Sequence, residues 1–169
     1  MRRLLDALYD GAAVLAALCM LGLLAMVLLS ILGRQWGFHV RGTDAYAGYL
    51  TAAAGFLALA HTLKRGEHIR VTLLLTRLGP RARRALQRIS LALGSALGLL
   101  LAWYSARLAW QSHAFNDIST GNDATPLWIP QLAMALGTAL FALALLDELV
   151  LELRNRPTPA ADGEALRNE

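Results

Sequence analysis

Four stretches of this chain contain no aspartate, glutamate, lysine or arginine: residues 11–33, 45–63, 89–106 and 124–146. Nothing else in the sequence restricts the fold as strongly. A helix rises ~1.5 Å per residue, so roughly 17 to 25 apolar residues cross the ~30 Å hydrocarbon layer of a bilayer. Each stretch meets that length. A soluble four-helix bundle would need polar side chains along one outer face of every helix, yet residues 11–33 offer only Cys19 and Ser30. A hydrophobic fraction of 56% and a mean hydropathy of +0.45 agree. The expectation is an all-α membrane protein of four transmembrane helices, over about 11–33, 45–63, 89–110 and 124–148, in one domain covering residues 1–156.

Lysine and arginine set the orientation. Eight of the sixteen fall in the second connection, as Lys64, Arg65, Arg70, Arg77, Arg81, Arg83, Arg84 and Arg88. Arg2 and Arg3 at the start and Arg154, Arg156 and Arg167 at the end add to the same side, against only Arg34, Arg41 and Arg107 in the first and third connections. The positive-inside rule then places both termini and the second connection in the cytosol. All four tryptophans (Trp36, Trp103, Trp110 and Trp128), with Tyr46, Tyr49 and Tyr104, lie toward the opposite face, where amphipathic rings favour the headgroup zone. The opening Arg2-Arg3 before an apolar run also suits a secretory signal. That run is too long and lacks a small-x-small cleavage site, so it is expected to remain as the first helix.

The second connection carries a pattern of its own. Ile69, Val71, Leu73, Leu74, Leu75 and Leu78 are too many apolar residues for a solvated linker, and Arg70, Arg77 and Arg84 recur every seven residues with Arg81 and Arg88 on adjoining rows. The spacing predicts an amphipathic interfacial helix over about 67–78, a break at Gly79-Pro80, and a third span that begins near Arg81. Arg70, Arg77, Arg81, Arg84 and Arg88 are candidate anchors for anionic phospholipid headgroups. This use of the excess charge of +4 argues against nucleic acid as a partner. From residue 157 onward the composition is that of a disordered cytoplasmic tail.

Ser90, Gly94, Gly98, Ala102 and Ala106 form a ladder of small residues four apart on the third span. Small residues let helix backbones approach closely in lipid, so the ladder is a candidate helix–helix or partner interface. Gly48 and Ala52, and Ala133 and Gly137, are shorter versions on the second and fourth spans.

Chemistry is sparse. No ionisable group lies within a span core, whereas an ion-coupled carrier usually needs one there. His61 stands beside Lys64 near a membrane boundary, where capping or snorkelling is expected. A haem- or quinone-binding respiratory anchor is the alternative reading of the four histidines, but His39 and His113 fall on one side and His61 and His68 on the other. Asp44, Asp117 and Asp123 read as solvated loop charge without ligand spacing. The single cysteine, Cys19, excludes an intrachain disulfide and reads as a packing residue. No enzyme activity, metal or cofactor is expected.

The run Gly66, Glu67, His68, Ile69, Arg70 and Val71 resembles the signature of the small membrane subunit of tripartite ATP-independent periplasmic (TRAP) transporters. Residues 42–50, with Asp44, resemble that family's approach to the second helix, and residues 125–130, with Pro126 and Pro130, its approach to the fourth. One departure is that Ala45 follows Asp44 where the family commonly has a second acidic residue. The resemblance implies a bacterial inner-membrane, multi-pass subunit working with a large multispanning permease subunit and a periplasmic substrate-binding protein in ion-coupled uptake of an organic acid. It also implies that the small subunit braces the large one and helps dock the binding protein.

Overall fold

The computed structural model describes residues 2–38, 40–65, 80–121 and 123–154. They form four helices: α1 Arg2–Trp36, α2 Thr43–Lys64, α3 Pro80–Ala114 and α4 Trp128–Leu153. The interfacial helix expected over about 67–78, the motif Gly66 to Val71, Arg77 and the tail from 157 lie outside the described residues.

Three of the helices, α1, α3 and α4, are long and apolar enough to cross a membrane. At 22 residues, α2 has the length, but alanine, glycine, threonine and tyrosine make it less apolar than its neighbours. α1 packs on α2, α2 on α4 and α4 on α3, so the helices form an open row in which α2 and α4 are inner and α1 and α3 are the edges. The small residues of α2 let both of its neighbours approach. Thr43, Ala53, Ala54, Leu57, Ala60 and Leu63 are its buried positions.

The edge helices bury a single narrow seam each. On α1 the covered residues include Tyr9, Ala12, Ala16, Cys19, Leu23, Met26, Ser30 and Gly33, alternately three and four apart, flanked by Ala13, Gly22 and Leu29. That alternation averages 3.5 residues and keeps one stripe facing the partner along a left-handed helix pair. Cys19 sits half-covered on this seam. The remaining surface of α1 is exposed leucine, valine and isoleucine, including Leu15, Leu18, Leu21, Leu24 and Leu28.

Chain order makes the row two hairpins, α1–α2 and α3–α4, joined along α2 and α4. These two inner helices run in the same direction: Lys64 at the end of α2 meets Asp147 near the end of α4, and Tyr49 near the start of α2 meets Ser119 and Asp123 just before α4. The densest core lies toward the Lys64 end, where Tyr9, Ala60, Leu63, Ala144 and Leu145 cluster against Leu5, Leu140 and Phe141. The opposite end carries the two short connections, residues 37–42 and 115–127.

Candidate functional site

The joint between the hairpins holds most of the polar chemistry, at three levels. At the end beyond α1 and α3, residues 117–121 and 123–127 lie back against one another. Ser119 N–H donates to Thr125 O and Leu127 N–H to Asp117 O, each 2.9 Å, around an antiparallel bridge between Ile118 and Pro126. This turn is fastened to α2. Tyr49 Oη donates to Asp123 Oδ2 at 3.0 Å and lies 3.0 Å from Ser119 Oγ, which donates to Asp123 Oδ1 at 2.8 Å. Tyr46 Oη and Thr125 Oγ1 pair at 3.1 Å. Thr125 first, then Ser119 and Tyr49, hold the Asp123 carboxyl down at about 2, against partial desolvation. Asp123, expected as solvated loop charge, is therefore a fastened carboxylate.

Gly42 makes room for this contact. Its φ of +80° is a left-handed conformation, and a β-carbon there would stand 2.8 Å from Asp123 Cβ. Asp44 follows in the first turn of α2 and is exposed; a carboxylate there complements the helix dipole. Pro126 sits in the bridge, while Pro130 lies in the first turn of α4, where a missing N–H removes no helical bond.

At the middle level the backbones touch. A β-carbon at Gly137 would lie 2.5 Å from both the carbonyl carbon and the oxygen of Phe56, so nothing larger than glycine fits between α4 and α2. At the far end Lys64 Nζ bonds Asp147 Oδ2, stands 3.5 Å from Glu148 Oε1 and lies 5.5 Å from the centre of the Tyr9 ring. Glu148 is only 4% exposed. A carboxylate so buried needs its cation nearby, because an isolated charge there is costly.

Two further pairs tie the edge helices at this same end. His61 Nδ1 is 3.4 Å from Asp10 Oδ1, joining α2 to α1; Asp10 is 72% exposed, which makes the pair weak. Glu152 on α4 accepts from Gln87 Nε2 at 3.4 Å and stands 3.8 Å from Arg88 Nε on α3. Arg88, named as a lipid anchor, is thus also engaged within the protein; Arg81 and Arg84 are exposed, and Arg70 and Arg77 lie outside the described residues.

The small-residue ladder divides. Gly98 is buried against Leu145 and Ala142 of α4, Gly94 faces Leu145, and Ala102 is half-covered, while Ser90 and Ala106 are exposed. Steps of four advance about 40° each around a helix of 3.6 residues per turn, so a ladder of fours drifts off any straight seam. The face that α3 turns to α4 is Ser95, Gly98, Ala102, Ser105, Ala109 and Ser112, spaced three and four apart.

Sequence reasoning did not find the Tyr49–Asp123 latch or the Lys64 clamp. The clamp left a signal: Lys64 and Asp147 are the first charges after two uncharged stretches, and therefore lie at one depth. The latch left none. Among the described residues no group of three His, Cys, Asp or Glu side chains converges on a metal position. His61 and His113 lie at opposite ends of the row, the latter edge-on to Trp128 at 5.3 Å.

No curated protein matches the chain. The family model for tripartite ATP-independent periplasmic transporters, DctQ component, matches residues 23–155, from the middle of α1 past the end of α4. Three long apolar helices suit a membrane component, and the chain belongs to the DctQ family as the small membrane subunit of a TRAP transporter.

Proposed function

We propose that this subunit is a non-catalytic scaffold of the inner membrane, crossing it four times with both termini in the cytosol. In this reading it braces the large permease subunit during ion-coupled uptake of an organic acid and helps dock the periplasmic binding protein. The observation that carries it is the architecture of the row: two edge helices that expose leucine, isoleucine and valine away from their seams, and no described charge in mid-membrane to act as a carrier site. Length supports α2 as the fourth span, and flanking by α1 and α4 supports its weak apolarity.

The charge distribution supports the orientation. The end bearing the fastened turn at 115–127 then faces the periplasm, with exposed Trp36, Trp110 and Phe115 around it. The Lys64 end faces the cytosol, with the amphipathic helix at 67–78 lying in the interface and Arg70, Arg77, Arg81, Arg84 and Arg88 against anionic headgroups. The motif Gly66 to Val71 belongs to that interfacial segment. The ladder from Ser90 to Ala106 serves in part as an internal seam, through Gly94 and Gly98, with Ser90 and Ala106 left for a partner or lipid.

The test is recovery of the tagged subunit from membranes that contain its partner subunits, together with labelling of single cysteines from either side. We expect a large multispanning protein to copurify, and labels at residues 40 and 118 to react from outside. Recovery of the subunit alone with uptake intact in its absence, or labelling of those positions from the cytosol, overturns the proposal.

A further inference from the structure

Among the described residues, α2 against α4 is the one substantial helix–helix contact between the two hairpins. A row of helices joined along one seam is in principle a hinge, because the halves can scissor about the line of contact. This seam is fastened at three separated levels. Tyr49 and Asp123 hold one end, the Phe56 backbone meets Gly137 in the middle, and Lys64 bridges Asp147 and Glu148 at the other end. Tyr9, buried beside Ala144 and Leu145, carries α1 into that last joint.

We propose that these fastenings form a lock that turns two hairpins into one rigid plate, a property beyond membership in the family; the proposal rests on the bracing reading only for its biological use. The middle contact alone sets spacing and leaves rotation free. Each end fastening stands off that pivot and resists rotation, as two pins do where one does not. Their chemistry suits the task. The hydrogen bonds to Asp123, at 3.0 and 2.8 Å, are directional and charge-assisted. Lys64 holds Glu148 in a site where leaving the helix contact would expose the seam on both sides of a buried charge.

The inference predicts which cut loosens which end. In the full-length subunit within its transporter complex, with Cys19→Ser as background, spin labels at positions 36 and 110 report the distance between α1 and α3 at the Tyr49 end. Labels at 8 and 89 report the Lys64 end. All four positions carry exposed side chains, Trp36, Trp110, Leu8 and Ile89. Tyr49→Phe with Asp123→Asn should widen the first distance distribution about twofold, and Lys64→Met with Asp147→Asn and Glu148→Gln should widen the second by a similar factor. The triple variant removes the ion pairs without leaving a buried charge unpaired, so it tests the clamp where Lys64→Met alone fails to fold. Cutting both fastenings should widen both.

Distributions that keep their width with both fastenings cut overturn the lock. The bracing reading has a separate readout: wider distributions with undiminished uptake leave the lock standing and remove its role in transport.

Discussion

Replacing Gly137 with alanine adds one methyl group where the structure has no space for it. The new β-carbon would stand 2.5 Å from the carbonyl carbon and oxygen of Phe56 and 2.8 Å from its Cβ. Carbon atoms settle at about 3.5–4.0 Å from one another, so α2 and α4 must part by roughly 1 Å at this level. The obstructing atoms are mainly backbone, and no change of rotamer moves them aside. A gap of about 1 Å forfeits roughly a quarter to a half of each dispersion contact across the seam, and overpacking a tight site typically costs ~1–3 kcal/mol. In hydrocarbon no hydrophobic drive pulls the parted helices together again, so their association rests on the packing contacts that the methyl group breaks. We therefore expect a loss near the top of that range, ~3 kcal/mol, or about a hundredfold in the folded-to-unfolded ratio at ~1.4 kcal/mol per tenfold.

The assay is unfolding of the full chain in mixed detergent micelles, followed by loss of helicity. Gly55→Ala on α2 is the control, because its β-carbon would have no atom within 4 Å. It should leave stability unchanged or raise it slightly, alanine being the better helix former. Gly137→Ala falling within ~0.5 kcal/mol of Gly55→Ala, the usual span of a surface change, would refute the close approach of α2 and α4.

Three other outcomes follow from the same geometry. Gly98→Leu should separate α3 from α4, since a β-carbon there already stands 3.1 Å from Leu145 Cδ1 and 3.5 Å from Ala142 Cα. Ala106→Leu, exposed on the same ladder, should be tolerated, and equal melting of the two variants would sink the assignment of the seam. Asp123 has its carboxyl held at about 2, so its contribution is present above the ordinary carboxyl range and is lost only as pH falls through about 2. Protection factors of the amides at 117–121 and 123–127, with the base-catalysed rise of intrinsic exchange divided out, should thus be flat between about pH 5 and 8, whereas Asp123→Asn or Gly42→Ala should lower them throughout that range, and a midpoint near neutrality would contradict this. Arg81→Gln with Arg84→Gln should lower the anionic lipid retained by the purified protein, measured by mass spectrometry of extracted lipid; unchanged retention removes these residues as anchors.

The fold could be read from this sequence to different depths. The uncharged stretches announce helices because the backbone has no other partner for its N–H and C=O groups in hydrocarbon. The structure extends α1 and α3 to 35 residues each, well past their uncharged cores, because charged residues at a helix end interrupt apolarity without interrupting helicity. α2 is the instructive case: its alanines and glycines looked like an ordinary span, and several of them, Ala53, Ala54 and Ala60, are buried between two neighbours. The ladder on α3 was visible as composition, but only Gly94, Gly98 and Ala102 of it meet the seam, while Ser90 and Ala106 stay exposed. Small residues mark where helices can approach; the partner's own surface selects which of them are used.

From sequence alone came the helical membrane class, four apolar stretches that each lie within a helix, and the family. These depend on local composition and on patterns along one segment, which need no knowledge of neighbours. Only the tertiary structure decided the order α1, α2, α4, α3, and with it the joining of the hairpins along α2 and α4. Tyr49 meets Asp123 across 74 residues, and Lys64 meets Asp147 across 83. In a membrane, where every helix is apolar and none is driven to a particular neighbour by water, the arrangement rests on small close contacts such as Gly137 against Phe56 and on a few polar pairs at the ends. Those are relations between distant residues, and they exist only once the helices stand side by side.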